Sequence, residues 1–186
     1  MSQPSPDADL RRVVAALHYA ASRPRDQQHK DRDGAPYINL PIALLQILAV
    51  EAGVTDADVL CAAVLRDVLD AGDDAAREQR AAEVEAQFGP QVLAILRDVA
   101  MDPALPAPMH APPRIDHARQ LLHGAKLVKL ADKVATLRDV AQDPPASWPL
   151  ERRRAYFDGA RAMVDAIGPA HAGLRKLFEQ AVAARP

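Results

Sequence analysis

Apolar residues in this chain recur at intervals of three and four, and prolines and glycines cut that recurrence into pieces of helical length. Leu10, Val13, Val14 and Leu17 form the first such stripe. Ala is abundant and aromatics are only 4% of the chain, which favours helices over strands. The expected fold is all-α: one domain over residues 1–186, built from about eight to ten helices, with residues 1–7 as a flexible start.

The punctuation sets the expected elements. The first helix follows Ser5-Pro6-Asp7 and stops before Pro24, because a residue ahead of proline is pushed out of helical geometry. A polar loop from Arg25 to Asn39 carries the turn-forming run Lys30-Asp31-Arg32-Asp33-Gly34. Pro41 opens the second helix, with Ile42, Leu44, Leu45, Ile47 and Leu48 inside it, and Gly53 closes it. Thr55 or Asp56 caps a third helix that runs towards Asp70. Two more cover 75–88 and 90–101, separated by Gly89-Pro90. Five prolines between Asp102 and Pro113 leave that stretch as a surface connection. Helix resumes at Arg114, breaks near Gly124, and continues with one buried face through Lys126 to Val140. Pro144-Pro145 ends it, a further helix covers 150–167 behind Pro149, and Gly168-Pro169 separates a last one ending near Ala184.

Composition narrows the function. A formal charge of -2 and a pI near 6.3 argue against a nucleic-acid binder, whose affinity rests on cationic contacts to phosphate. The single cysteine, Cys61, excludes a disulfide framework and reads as a small core residue. No long apolar run is free of charge and the opening MSQPSPDADLRR has no apolar signal core, so membrane insertion and export are not expected and the cytoplasm is the expected address.

Three acids stand out. Asp67 and Asp70 are three apart on an expected helix and so share a face, and Asp132 sits among apolar residues. Each is either a solvent-facing residue or a ligand or ion-pair member, and periodicity does not choose. The six histidines are scattered, with no i, i+4 pair of the two-His zinc type. His29, Lys30 and Arg32 suit phosphate, whereas Arg152, Arg153 and Arg154 point in several directions and mainly decorate solvent. Trp148 and Tyr156 either pack in the core or offer a stacking face for a base.

The motifs Lys30-Asp31-Arg32-Asp33-Gly34-Ala35-Pro36-Tyr37-Ile38-Asn39-Leu40-Pro41, Leu65-Arg66-Asp67-Val68-Leu69-Asp70 and Gly124-Ala125-Lys126-Leu127-Val128-Lys129-Leu130-Ala131-Asp132-Lys133 occur together here. With Phe88-Gly89-Pro90-Gln91-Val92 and the Trp148 to Phe157 region, they resemble the HD-type hydrolase domain of the RelA/SpoT family, especially its small stand-alone alarmone hydrolases. The resemblance implies a helical, Mn²⁺-dependent fold that removes the 3′-pyrophosphate of (p)ppGpp or, in some members, the 2′-phosphate of NADPH.

It also implies where the chemistry is altered. The family's four metal-ligand positions correspond to Leu40, Arg66, Asp67 and Asp132, so both histidines are replaced. Two carboxylates make an incomplete site for a transition ion, and Arg66 brings a permanent cation to it. The acidic pair that orients water in the family reads Asp70-Ala71, which leaves Asp70 as a residual catalytic carboxylate. Family positions around the nucleotide fall on His29, Lys30, Thr136, Trp148 and Tyr156.

A catalytically inactive homologue that binds a guanine nucleotide or another phosphorylated small molecule, with no cofactor, is therefore the leading expectation. Arg66 is expected to pair with Asp132, Asp67 or Asp70 where the metal would sit. One alternative is an active phosphohydrolase using Mg²⁺ on Asp67, Asp70 and Asp132. Another is a structural or interaction protein whose pocket has closed, with Leu40 as part of the filling. Homodimerisation is compatible with a domain of this size, though no motif specifies an interface.

Overall fold

A computed structural model describes residues 6–22, 38–70, 73–100 and 112–186. These residues form nine α-helices and one π-helical turn, with no β-strand among them. The expectation of an all-α chain is borne out.

The helices begin and end where local chemistry says they should. Helix α1, Pro6–Ser22, starts on proline, whose missing N–H is harmless in a first turn. Helix α2 is Asn39–Leu45, and α3 is Ala57–Leu65. Asp56, rather than Thr55, caps α3, its carboxylate accepting from the backbone N–H groups of Asp58 and Val59. Asp73 does the same for α4, Asp74–Phe88, by accepting from Ala76 at 2.8 Å. Gly89, at φ 95°, turns the chain directly into α5, Pro90–Val99. Then follow α6 (Pro112–Gln120), α7 (His123–Gln142), α8 (Leu150–Ile167) and α9 (Ala172–Val182).

Helices α3 and α7 form the centre. Helix α3 buries Ala57, Val59, Cys61, Ala62, Ala63, Val64 and Leu65, nearly its whole circumference, between α1, α2, α5 and α7. Its small residues let those neighbours approach closely. Cys61 is fully buried, and burial pushes its thiol up to about 11, so it behaves as core and not as a nucleophile. Helix α7 packs on α2, α3, α5, α8 and α9, so it buries residues on several faces rather than the single face expected. The Arg12 guanidinium ties the edges together by donating to Asp58 on α3 and, at 2.8 Å, to the Phe88 carbonyl at the end of α4.

Five expected boundaries are corrected. The second helix is not continuous α-helix to Gly53: residues Gln46–Glu51 form a π-helical turn, and the Ala52 N–H bonds back to the Ile47 carbonyl. The wider turn seats Ile47 and Leu48 in the core, and apolar spacing over so short a run does not distinguish the two windings. The third helix ends at Leu65. Residues 66–70 continue as tight turns, with Val68 N–H bonded to Leu65 O and Asp70 N–H to Asp67 O. Val68 and Leu69 are buried there as they would be on a helix, so the pattern alone does not separate the two.

The break expected at Gly124 falls instead at Leu121 and Leu122, and Gly124 lies inside α7. A Cβ on Gly124 would stand 2.6 Å from the Ile95 Cδ1, so this glycine serves the close approach of α7 to α5 and not a turn. Finally, Pro6 and Asp7 are helical, as are Pro112 and Pro113, which trims the expected flexible start and Pro-rich connection. The remainder of both segments lies outside the described residues.

Candidate functional site

Where the turn after α3 meets the middle of α7, the fold places several charged side chains against one another. Asp132 is the one charged residue that is buried among the described residues, at 9% exposure. It stands on a helix whose neighbours are apolar, so its carboxylate needs partners. Arg66 supplies one. Its Nη1 donates to Asp132 Oδ1, and its Nε donates to Asp67 Oδ1 at 2.8 Å. Lys133 Nζ takes the other oxygen of Asp132 at 2.9 Å.

The electrostatics follow from that geometry. Burial works to raise the pKa of Asp132, but the charges of Arg66 and Lys133 outweigh it and hold the carboxyl well below the usual carboxylate range. Burial likewise opposes the charge on Lys133, and Asp132, with Tyr156 beyond it, more than compensates, so its pKa is raised. Lys129, one turn earlier on α7, has a different balance. Burial and then the charge of Lys133 pull it down to about 8, and its ammonium donates to the Val99 carbonyl at 2.7 Å.

A cavity of about 310 Å³ opens beside this cluster. Arg66, Asp67 and Asp70 form one wall, Lys129, Asp132 and Lys133 the second, and Arg114 of α6 and Tyr156 of α8 complete it. The structure thus brings together four of the residues singled out from the sequence, namely Asp67, Asp70, Asp132 and Tyr156, with Arg66 between two of the acids.

Other expected residues stand elsewhere. Leu40 is buried in the core at the start of α2 and does not line the cavity. Thr136 turns its Oγ1 back to the Asp132 carbonyl at 2.8 Å within α7 and is not part of the lining. Trp148 lies behind Tyr156, with ring centroids 5.3 Å apart, and the Arg152 guanidinium covers its ring at 4.4 Å. That face of the indole is taken. The pair joins the edge of the core, with Tyr156 alone reaching the cavity. Of the arginine triplet, Arg153 bonds the Trp148 carbonyl and Arg154 the Pro186 carbonyl, so these cations have local roles. His29, Lys30 and Ala71 lie outside the described residues.

Sequence reasoning assigns no role to Lys129, Lys133 or Arg114. A signal is present for the two lysines: they are four apart, flanking Asp132, on a helix otherwise rich in core residues. Arg114 carries no such mark.

The donor set does not suit a transition ion. Among the described residues no group of three His, Cys, Asp or Glu side chains is placed to hold a metal, and the two candidate carboxylates are already bound by a guanidinium. The arrangement can attract and hold an anion, since four cations line the cavity against three carboxylates.

Comparison with known proteins gives the family. A family model described as the HD domain matches residues 16–156. The guanosine-3′,5′-bis(diphosphate) 3′-pyrophosphohydrolase MESH1 of Danio rerio is 35% identical over 168 residues, covering 90% of this chain and 91% of that protein. The Homo sapiens protein of the same name is 36% identical over 177 residues, covering 93% and 96%. A solved structure of a metazoan ortholog of SpoT, described as hydrolysing ppGpp and playing a role in starvation responses, superposes with a TM-score of 0.82 at 35% identity. It covers 100% of this chain, and 98% of its own length is matched. With helical fold, length and motifs all in agreement, the chain belongs to the HD-domain family and is homologous to the MESH1 ppGpp hydrolases.

Proposed function

We propose that this chain is a non-hydrolysing relative of the guanosine-3′,5′-bis(diphosphate) 3′-pyrophosphohydrolases, one that binds a guanine nucleotide or a similar phosphorylated molecule in the cytoplasm without a metal. The observation that carries this reading is Arg66, whose guanidinium bridges Asp67 and Asp132. A cluster of carboxylates that has lost a divalent ion must be neutralised, and a planar five-donor cation does so in the same place. Leu40 contributes no metal donor, and Asp70 is followed by Ala71 rather than by a second acid. The open cavity beside Arg66 supports binding over a closed, purely structural pocket.

A second reading keeps hydrolysis, with Mg²⁺ on oxygen ligands. Its support is that Asp67, Asp70 and Asp132 line one cavity. It requires Arg66 to release two carboxylates before an ion can enter.

Protein purified without chelator separates the two. Elemental analysis is expected to find far less than one Mn or Zn per chain, and ppGpp and NADPH are expected to survive incubation with Mn²⁺ or Mg²⁺. Calorimetry is expected to show heat on adding ppGpp. Stoichiometric metal, or turnover that depends on metal and is lost in Asp132→Asn, would overturn the proposal in favour of the second reading. No heat with ppGpp or NADPH would leave the chain as a structural homologue.

A further inference from the structure

The charges around the cavity are not paired evenly. Arg66 is committed to Asp67 and Asp132, and Lys133 to the second oxygen of Asp132. Lys129 makes no ion pair with a carboxylate among the described residues; its partner is the Val99 carbonyl. An ammonium carries three N–H donors, and one carbonyl uses one of them. The same side chain lines the cavity, one helical turn from Lys133.

A cation largely shielded from solvent, bonded to a carbonyl rather than a carboxylate and next to a second cation, is disfavoured in the free protein, and the attraction of Asp132 and Asp70 only partly offsets this. The depressed pKa of Lys129, about 8, has that origin. An anion entering the cavity relieves the imbalance and meets donors on two walls: Arg66 on the turn after α3, and Lys129 and Lys133 on α7. Donors converging from separate elements suit a tetrahedral, multiply charged group better than a planar carboxylate. A volume of about 310 Å³ accepts a pyrophosphate.

We propose that Lys129 seats a phosphate or pyrophosphate group in this cavity directly, with Arg66 and Lys133 beside it and no metal bridge. The proposal deepens the metal-free reading above and rests on it. It adds which cation meets the ligand and which part of the ligand is held. Asp70 and the two bridged acids work against an anion, so the seat depends on Lys129 supplying the charge that the ion pairs do not.

The test is calorimetric titration of the whole protein with inorganic pyrophosphate, GDP and ppGpp, each in EDTA and again in Mn²⁺. Binding of pyrophosphate and ppGpp in EDTA, weakened about tenfold or more in Lys129→Met and largely restored in Lys129→Arg, is the expected result. Equal affinity for inorganic pyrophosphate and ppGpp assigns the seat to the free anion, and tighter ppGpp assigns it to the nucleotide. Circular dichroism and denaturation midpoints check that both variants fold. Binding in EDTA that is unchanged in Lys129→Met overturns this proposal alone. Binding that appears only with Mn²⁺ overturns it together with the metal-free reading, and metal content and turnover of the same samples report on that reading independently. Silence with all three probes at millimolar concentration also overturns the seat.

Discussion

Two regions of this protein are built from the same pairs of side chains and behave differently. On the outer face of α8 and α9, Arg175 bonds Asp165 at 2.7 Å and Glu179 at 2.8 Å, while Arg161 reaches Glu179 at 2.8 Å. At the centre, Arg66 joins Asp67 and Asp132. The outer carboxylates are 43% and 52% exposed, whereas the side chain of Asp132 is 13% exposed and that of Arg66 19%. In the outer network hydrogen bonds from arginine lower the pKa of Glu179, with water free to replace them. At the centre burial is the largest influence on Asp132, and partners are obligatory because so little of the carboxylate is open to solvent. Identical chemistry is optional in one place and compulsory in the other.

The sharpest way to break the comparison is to remove the central cation. Arg66→Ala leaves Asp132 with Lys133 alone and is expected to destabilise the domain by about 3 kcal/mol in urea denaturation. Replacing both partners, as Arg66→Met with Asp132→Leu, should cost less than the single change, because no charge is left stranded. A double change as damaging as the single one would show that packing rather than charge sets the effect.

A smaller effect should come from Lys129, whose depressed pKa makes a claim about pH. The folded state releases this proton near pH 8 while the unfolded chain holds it to about 10.5, so the unfolded state binds more protons between those values. Stability contributed by this group therefore rises with pH across that window, by on the order of 2 kcal/mol. Cys61, raised to about 11 by burial, acts in the opposite direction above about pH 9, since the folded state then retains a proton that the unfolded state loses. The measurement is accordingly a difference between the wild type and Lys129→Met, with chemical denaturation at pH 7.5, 8.5 and 9.5. If the variant kept the same rise, the imbalance assigned to Lys129 would not exist.

The least effect is expected on the surface. Arg175→Ala should change stability by under about 1 kcal/mol and by less still at high salt, where exposed pairs are screened. A loss as large as that of Arg66→Ala would collapse the contrast between the two regions.

Much of the fold is legible in the residues alone. Proline and glycine delimit the helices because their limits are local: Pro90 and Leu150 open helices and Gly89 turns the chain at the expected places. The expectation that Leu40 and Arg66 stand at two imidazole positions of the resembled family comes from motif spacing alone, since spacing survives substitution. What is not legible has a physical reason. The apolar run around Ile47 fits α and π winding alike, and Val68 and Leu69 fit a helix or a tight turn. Trp148 looks equivalent to Tyr156 in the sequence, yet Arg152 covers its ring and only Tyr156 reaches the cavity.

By itself, then, the sequence determined the helical class, the positions of most helix ends and the chemical identity of the acids and the arginine that later meet, because each depends on neighbouring residues or on a short motif. Tertiary structure decided which charges meet. Arg66 and Asp132 are 66 residues apart, and their pairing exists only because the turn after α3 packs against the middle of α7. The same packing left Lys129 facing a cavity with the Val99 carbonyl for a partner, whereas Lys133, one turn away, bonds its own sequence neighbour, Asp132. Periodicity reports a residue's face on its own helix. The charge waiting opposite that face is set by which elements pack together, and that is a property of the folded chain.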